Sequence, residues 1–223
     1  MLFKKSTLRA LALCCGLTGI GSAHSATMLF DSVGDMGSIL YATTRDGATL
    51  SATVQFTLNT LSASQAVFAV QVSNNSFGPG ANDLKSFGID IVSPTLNSAS
   101  ANNGWDASRN VTFPAFQQVD LCVWDGSNCS GGGNQGVAEG AVESFLLTLG
   151  TAGNFVTSGI EFTSPYSVRF QSVGNSGNSF TFPGCIVGTP NCGPGQQVPE
   201  PASIALMGVG LLGAALARRR KVA

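Results

Sequence analysis

Apolar side chains return at every second position, run after run, through the middle of this chain: Leu50, Ala52, Val54, Phe56 and Leu58; Phe68, Val70 and Val72; Phe87, Ile89 and Ile91. The pattern recurs at Val119, Leu121 and Val123, at Phe145, Leu147 and Leu149, at Ile160 and Phe162, and at Tyr166, Val168 and Phe170. Successive side chains of a strand point to opposite faces, so a period of two describes strands with one face in a core and the other toward water. Gly, Asn, Pro and Ser clusters, the residues of turns, separate most of these runs. No stretch between residues 27 and 198 carries an apolar stripe at helical spacing. The expectation is all-β: an antiparallel β-sandwich, with a β-barrel as the second arrangement. Partial closure of either protects edge strands. Charged residues are 10% of the chain, against about 25% in typical soluble domains, and that mix suits strands and turns better than helices. The length fits one such domain, residues 26–197, between two terminal segments.

Residues 1–25 have the three parts of a secretion signal. Lys4, Lys5 and Arg9 come first, an apolar run from Ala10 to Ile20 follows, and small residues surround His24, placing cleavage after Ser25. Cys14 and Cys15 raise a lipoprotein alternative, but Leu13 stands before Cys14 where a small residue is needed. At the other end, residues 198–223 read VPEP, then ASIALMGVGLLGAALA, then RRRK. The uncharged run holds 16 residues, about 24 Å as a helix, a little short of the ~30 Å hydrocarbon core. Slight thinning and snorkelling of Arg218 cover the deficit. Arg218, Arg219, Arg220 and Lys221 form a cytoplasmic stop under the positive-inside bias. Both ends therefore place residues 27–198 outside the inner membrane. Gly208, Gly210 and Gly213 match a dinucleotide fingerprint by spacing alone, without the strand, amphipathic helix and acidic residue it needs.

Pro199-Glu200-Pro201, followed at once by the apolar run and the basic cluster, resembles the PEP-CTERM sorting signal. The resemblance implies an exosortase as processing partner, in a Gram-negative bacterium that also makes exopolysaccharide. It also implies an inner-membrane-tethered precursor that is cut near the motif and passes to the cell surface or extracellular matrix. No LPxTG-like sequence is present to suggest a Gram-positive sortase anchor.

Cys122 and Cys129 have six residues between them, as do Cys185 and Cys192. Four cysteines permit three connectivities; two local disulfides are the simplest, and an oxidising compartment favours them. Each small loop would contribute roughly 2–3 kcal/mol on the chain-entropy model. Zinc would need His or closer Cys spacing, which this region lacks.

Between residues 27 and 198 only Arg45, Lys85, Arg109 and Arg169 oppose eleven Asp and Glu, a surplus of seven negative charges. No basic stripe exists to neutralise phosphates, which argues against nucleic acid. The one histidine, His24, lies in or beside the leader, which removes a His-based triad or a His-ligated metal. Carboxylate chemistry needs two facing acids, and although Asp83, Asp90, Asp106, Asp120, Asp125, Glu139, Glu143 and Glu161 are available, the sequence brings no two together. The expectation is a protein without catalytic residues or cofactor. Asn74-Asn75, Asn82-Asp83, Asn102-Asn103 and Asp125 to Asn128 offer oxygens to Ca²⁺, though none matches a known loop and turn chemistry explains them equally well. Trp105 and Trp124, with Tyr41 and Tyr166, are the candidate platforms for a sugar ring, and core packing is their ordinary use. The leading reading is a structural or adhesive protein, and the resemblance to PEP-CTERM proteins is what implies an exopolysaccharide or biofilm matrix as its setting. A carbohydrate-binding module and a glycosidase-like enzyme are the alternatives.

Overall fold

The computed structural model describes residues 26–133, 135–190 and 192. The leader expected over 1–25, and the motif, apolar run and basic stop expected over 198–223, lie outside them. Among the described residues the chain forms twelve strands and one helical turn. Six strands make sheet A: β1 (Met28–Phe30), β5 (Gly80–Ile91), β7 (Trp105–Thr112), β8 (Gln118–Asp125), β10 (Ile160–Val173) and β11 (Asn178–Pro183). Six make sheet B: β2 (Met36–Arg45), β3 (Ala48–Leu61), β4 (Gln65–Asn74), β6 (Leu96–Ala101), β9 (Val142–Thr151) and β12 (Cys185–Ile186).

All pairings are antiparallel. Sheet A runs β1-β10-β5-β8-β7, with β11 also on β10, and sheet B runs β12-β2-β3-β4-β9-β6. No described pairing joins the two into a closed barrel, so the sandwich reading holds and the barrel does not. Each alternating run falls inside a strand. On β3, Leu50, Ala52, Val54, Phe56 and Leu58 are fully buried while the residues between them are half-exposed.

The two inner faces meet in a core of phenylalanines. Phe56 lies edge-on to Phe68, Phe87 and Phe162 at ring separations of 6.3, 6.1 and 5.3 Å, and Phe30 approaches Phe68 and Phe162 at 5.1 Å each. Edge-to-face geometry sets the positive ring rim against the negative ring face, and each buried Phe contributes about 1.5–3 kcal/mol relative to exposure.

The chain itself stitches the sandwich at both sides. β6 and β7 are joined by a hairpin turn in which Asn103 (φ 56°) and Gly104 (φ 88°) both adopt left-handed backbone, yet β6 pairs into sheet B and β7 into sheet A. On the opposite side β11 belongs to sheet A and β12 to sheet B, and the crossing is made at Gly184. A Cβ there would lie 2.5 Å from the ring of fully buried Tyr41, so only glycine lets the backbone pass.

Candidate functional site

The outer face of sheet B has an unusual chemistry. Its rows are Ser38, Leu40, Ala42 and Thr44 on β2; Thr49, Ser51, Thr53, Gln55 and Thr57 on β3; and Gln65, Val67, Ala69, Gln71 and Ser73 on β4, each row opposite the buried one. Val142, Ser144, Leu146 and Thr148 on β9 and Ser98 and Ser100 on β6 complete it. No Asp, Glu, Lys or Arg stands in these rows. Of the domain's charged side chains only Arg45, at the hairpin tip, and Glu143, in the inward row of β9, belong to sheet B strands.

A shallow groove of about 370 Å³ opens on this face. Its floor follows two rungs of the ladder: Gln55, Gln71 and Ser144 on one, and Thr57, Ala69 and Leu146 on the next. Ala69 makes the depression because it is the smallest side chain of the two rungs. The β6–β7 turn forms the wall. Asn102 Oδ1 accepts the Leu146 N–H at 2.7 Å and Asn103 Nδ2 donates to Ser144 O at 3.2 Å, so two amides occupy the β9 edge where β6 pairing has ended. Neither Gln55 nor Gln71 uses its side-chain amide within the described protein, which leaves both free to donate and accept. Leu146, 42% exposed, adds an apolar surface.

Directly behind this floor lies Trp105. Its indole is 3% exposed, stacks on Phe145 at 4.5 Å and 17°, and donates from Nε1 to Glu143 Oε2 at 2.9 Å. The expectation of a sugar platform at Trp105 is therefore corrected: an apolar ring with both faces packed has no side left for a ligand, and it acts as the rigid backing of the groove. Tyr41 and Tyr166 are corrected likewise, being 0% and 3% exposed. The Tyr166 hydroxyl bonds the carbonyls of Phe162 and Ala26 at 2.9 and 3.0 Å, whereas the Tyr41 hydroxyl has no partner among the described residues. Burial drives both phenols well above their ordinary range. Trp124 is half-buried on the outer face of sheet A, against the small cluster described next.

That outer face of sheet A is covered. Phe113, Val119, Cys122 and Cys129 form a second buried cluster there, with Val111, Phe116 and Trp124 around it. The Cys122–Cys129 disulfide holds the loop after β8 against β5, where Ser86 Oγ donates to Cys129 O at 2.9 Å. Lys85, 2% exposed, pairs with Asp83 at 3.3 Å and donates to Gln135 O. The second disulfide, Cys185–Cys192, is also present, so both local pairings stand.

Two of the candidate acids do come together. Asp90 Oδ1 accepts the Asp120 N–H at 3.2 Å, and Asp120 Oδ2 accepts the Ile91 N–H at 2.9 Å. Burial holds the Asp90 carboxyl above the usual carboxylate range, against the lowering by the Asp120 N–H, and the negative charge of Asp120 adds to the rise. Both carboxylates are thus engaged with strand backbone. Some of the oxygens offered for Ca²⁺ also accept backbone N–H groups: Asn74 Oδ1 from Ser76, Asn82 Oδ1 from Gly174, Asp125 Oδ2 from Gly136 and Asn128 Oδ1 from Ser130. Among the described residues no group of three His, Cys, Asp or Glu is placed to hold a metal ion.

Compared with known proteins, the chain matches the family description of the PEP-CTERM protein-sorting motif over residues 197–221. That span contains Pro199, Glu200, Pro201 and the cations from Arg218 to Lys221. No curated protein and no solved structure matches the chain. The chain therefore carries an exosortase sorting signal, which implies processing by that enzyme and an exported, membrane-anchored precursor of the cell envelope.

Proposed function

We propose that this chain is a non-catalytic adhesion protein of the cell-surface polysaccharide matrix, delivered through its PEP-CTERM signal, and that it holds uncharged glycan on the outer face of sheet B. The observation that carries this reading is the charge-free outer face of sheet B in a domain with seven excess negative charges. An acidic domain repels carboxylated or sulfated polymers at short range, so the surface it can offer a polysaccharide is the neutral one. There the amides of Gln55, Gln71 and Asn103 and the hydroxyls of Thr57 and Ser144 match sugar hydroxyls as both donors and acceptors, while Leu146 and Ala69 meet the C–H side of a ring. The groove volume sits at the lower end of the roughly 300–1,000 Å³ typical of small-ligand sites, which suits a single sugar unit of a longer chain. Repetition along a polymer then supplies retention through many weak contacts.

The non-catalytic part rests on the Asp90–Asp120 pair, whose oxygens tie neighbouring strands together. Both parts are tested on the exported, processed protein with gluco-, manno- and galacto-oligosaccharides and with alginate and galacturonate oligomers of equal length. Binding of at least one neutral series is expected, weakened about tenfold by Gln71→Ala, the equivalent of about 1.4 kcal/mol, and abolished by Ala69→Ile, which fills the depression. Equal or tighter binding of the carboxylated oligomers, absence of any neutral binding, or hydrolysis of a bound oligomer would each reject the proposal.

A further inference from the structure

Among the described residues three buried side-chain polar atoms have no hydrogen-bond partner: the Tyr41 hydroxyl oxygen, Ser167 Oγ and Arg169 Nε. Tyr41 belongs to the core, but the other two stand together on one face of one strand. On β10 the core row is Tyr166, Val168 and Phe170, so Ser167, Arg169 and Gln171 form the row on the outer face of sheet A. Ser167 lies between Gly88 on β5 and Pro183 on β11, and Arg169 lies between Ser86 and Thr181 on the neighbouring rung. Residues two apart on a strand are separated by about 6.6 Å, a distance an arginine side chain spans. Ser167 is fully buried.

Arg169 is also a cation without a carboxylate. Asp83, opposite Gln171 on this face, pairs with Lys85 at 3.3 Å, the one ion pair among the described residues. The Arg169 guanidinium stays charged at every ordinary pH and offers only donors, of which one reaches Thr181 Oγ1 at 3.3 Å. Burial pulls its pKa below the ordinary range, so the charge is drawn from water without compensation. Charges held in this way are costly unless paired. The domain has eleven carboxylates and places none of them against this guanidinium.

The glycine-rich loop after β8 forms a roof over the row. Gly132 N–H donates to Gln171 Oε1 at 3.1 Å, and a Cβ on Gly131 would stand 3.1 Å from Arg169 Nε. Cys129 O and Gln135 O fix the same loop to Ser86 and Lys85. A roof this close admits a small ligand and no polymer. Ser167 Oγ and the guanidinium both have protons to give, so the ligand that satisfies them accepts hydrogen bonds and carries negative charge. A small oxyanion does both, because its several oxygens take a guanidinium fork and a hydroxyl at once.

We propose that the outer face of sheet A binds one small oxyanion between Ser167 and Arg169, beneath the glycine-rich loop. The anion neutralises Arg169 and joins β10 to the loop, which stabilises the covering of this sheet. The inference is independent of what sheet B holds. Sulfate, phosphate, acetate and chloride are titrated into the exported, processed protein at constant ionic strength, by calorimetry and by thermal unfolding. At least one oxyanion should bind at one site per chain, at least tenfold tighter than chloride. At a hundredfold excess over its dissociation constant it should raise the melting temperature by roughly 5–10 °C. Arg169→Gln should abolish both effects, and Ser167→Ala should weaken binding at least fivefold. Because Ser167→Ala removes a hydroxyl without a partner, its anion-free melting temperature should stay within about 2 °C of the parent, which keeps the test decisive where Arg169→Gln does not fold. Absence of saturable binding overturns the proposal in favour of buried water, and chloride binding as tightly as every oxyanion overturns the oxyanion assignment. Undiminished binding in either variant places the anion elsewhere and overturns it, as does an equal rise in melting temperature in Arg169→Gln, which marks a general salt effect.

Discussion

The outer face of sheet A is buttressed by a second apolar cluster, a disulfide, a glycine-rich loop and a buried Lys85–Asp83 pair. The outer face of sheet B, of the same number of strands, has only the Cys185–Cys192 disulfide at its β12 edge and otherwise stays open along Ser, Thr and Gln side chains. The difference shows in β8, where Leu121, Cys122 and Val123 are all fully buried, against β3, where burial strictly alternates. Sheet A thus uses both faces for stability. Sheet B uses only its inner face, and the side chains of its outer face are released from any duty to the fold, which is the condition for a contact surface.

The sharpest way to break this contrast is to remove each disulfide in turn. Both close loops of identical length, with a sequence separation of 7, so the chain-entropy loss is the same, about 2.5 kcal/mol. Cys122 and Cys129 are 0% and 4% exposed inside the second cluster, and replacing both with Ala should cost about 1 kcal/mol more through lost packing. Cys185 and Cys192 are half-exposed at an edge and should cost the entropy alone. Equal losses in thermal unfolding would show that the covering of sheet A is not a second core.

A smaller effect separates two single residues. A Cβ on Gly88 would lie 2.9 Å from the ring of fully buried Phe113 and 3.1 Å from Val119, so Gly88→Ala should destabilise by about 1–3 kcal/mol through overpacking. Ala69→Ile adds more volume on sheet B but meets solvent, and should stay within about 0.5 kcal/mol. The smallest effect concerns pH. Because the folded state raises the Asp90 carboxyl, it binds that proton more readily than the unfolded chain, and stability increases as pH falls from neutrality through the raised value. Asp90→Asn, which keeps the acceptor for Asp120 N–H, should flatten that increase. The difference should be well under about 1 kcal/mol, since solvent screens this partly open pair, and chemical unfolding at pH 7 and pH 5 reads it.

Much of this architecture is legible in the chain. The period-two runs announce β3, β4, β5, β8, β9 and β10, and the equal cysteine spacings announce both disulfides, because alternation and loop closure are local properties. Asn103-Gly104 also carries a local signal, that of a tight hairpin turn, but not the fact that its two strands enter different sheets. The groove is less visible. Gln55, Ala69, Gln71, Asn103, Ser144 and Leu146 come from three strands and a turn, and only register sets them side by side. Trp105 shows the limit from the other side: it follows a turn, as an exposed ring could, yet it is the first residue of β7 and faces the core, the ordinary use of such a ring. One signal was present throughout, namely that the positions between the buried residues of β3 and β4 read Ser, Thr, Gln, Val and Ala without a single charge.

The central claim is that the outer face of sheet B, and not that of sheet A, holds the processed protein in the surface matrix. Retention on the polysaccharide of the producing cells, measured for exported protein carrying Thr53→Glu with Gln71→Glu on sheet B or Thr112→Glu on exposed β7 of sheet A, tests it directly. The account predicts at least a tenfold loss of retention for the sheet B variant at unchanged melting temperature, with the sheet A variant retained as the parent chain is. Undiminished retention of the sheet B variant would contradict it.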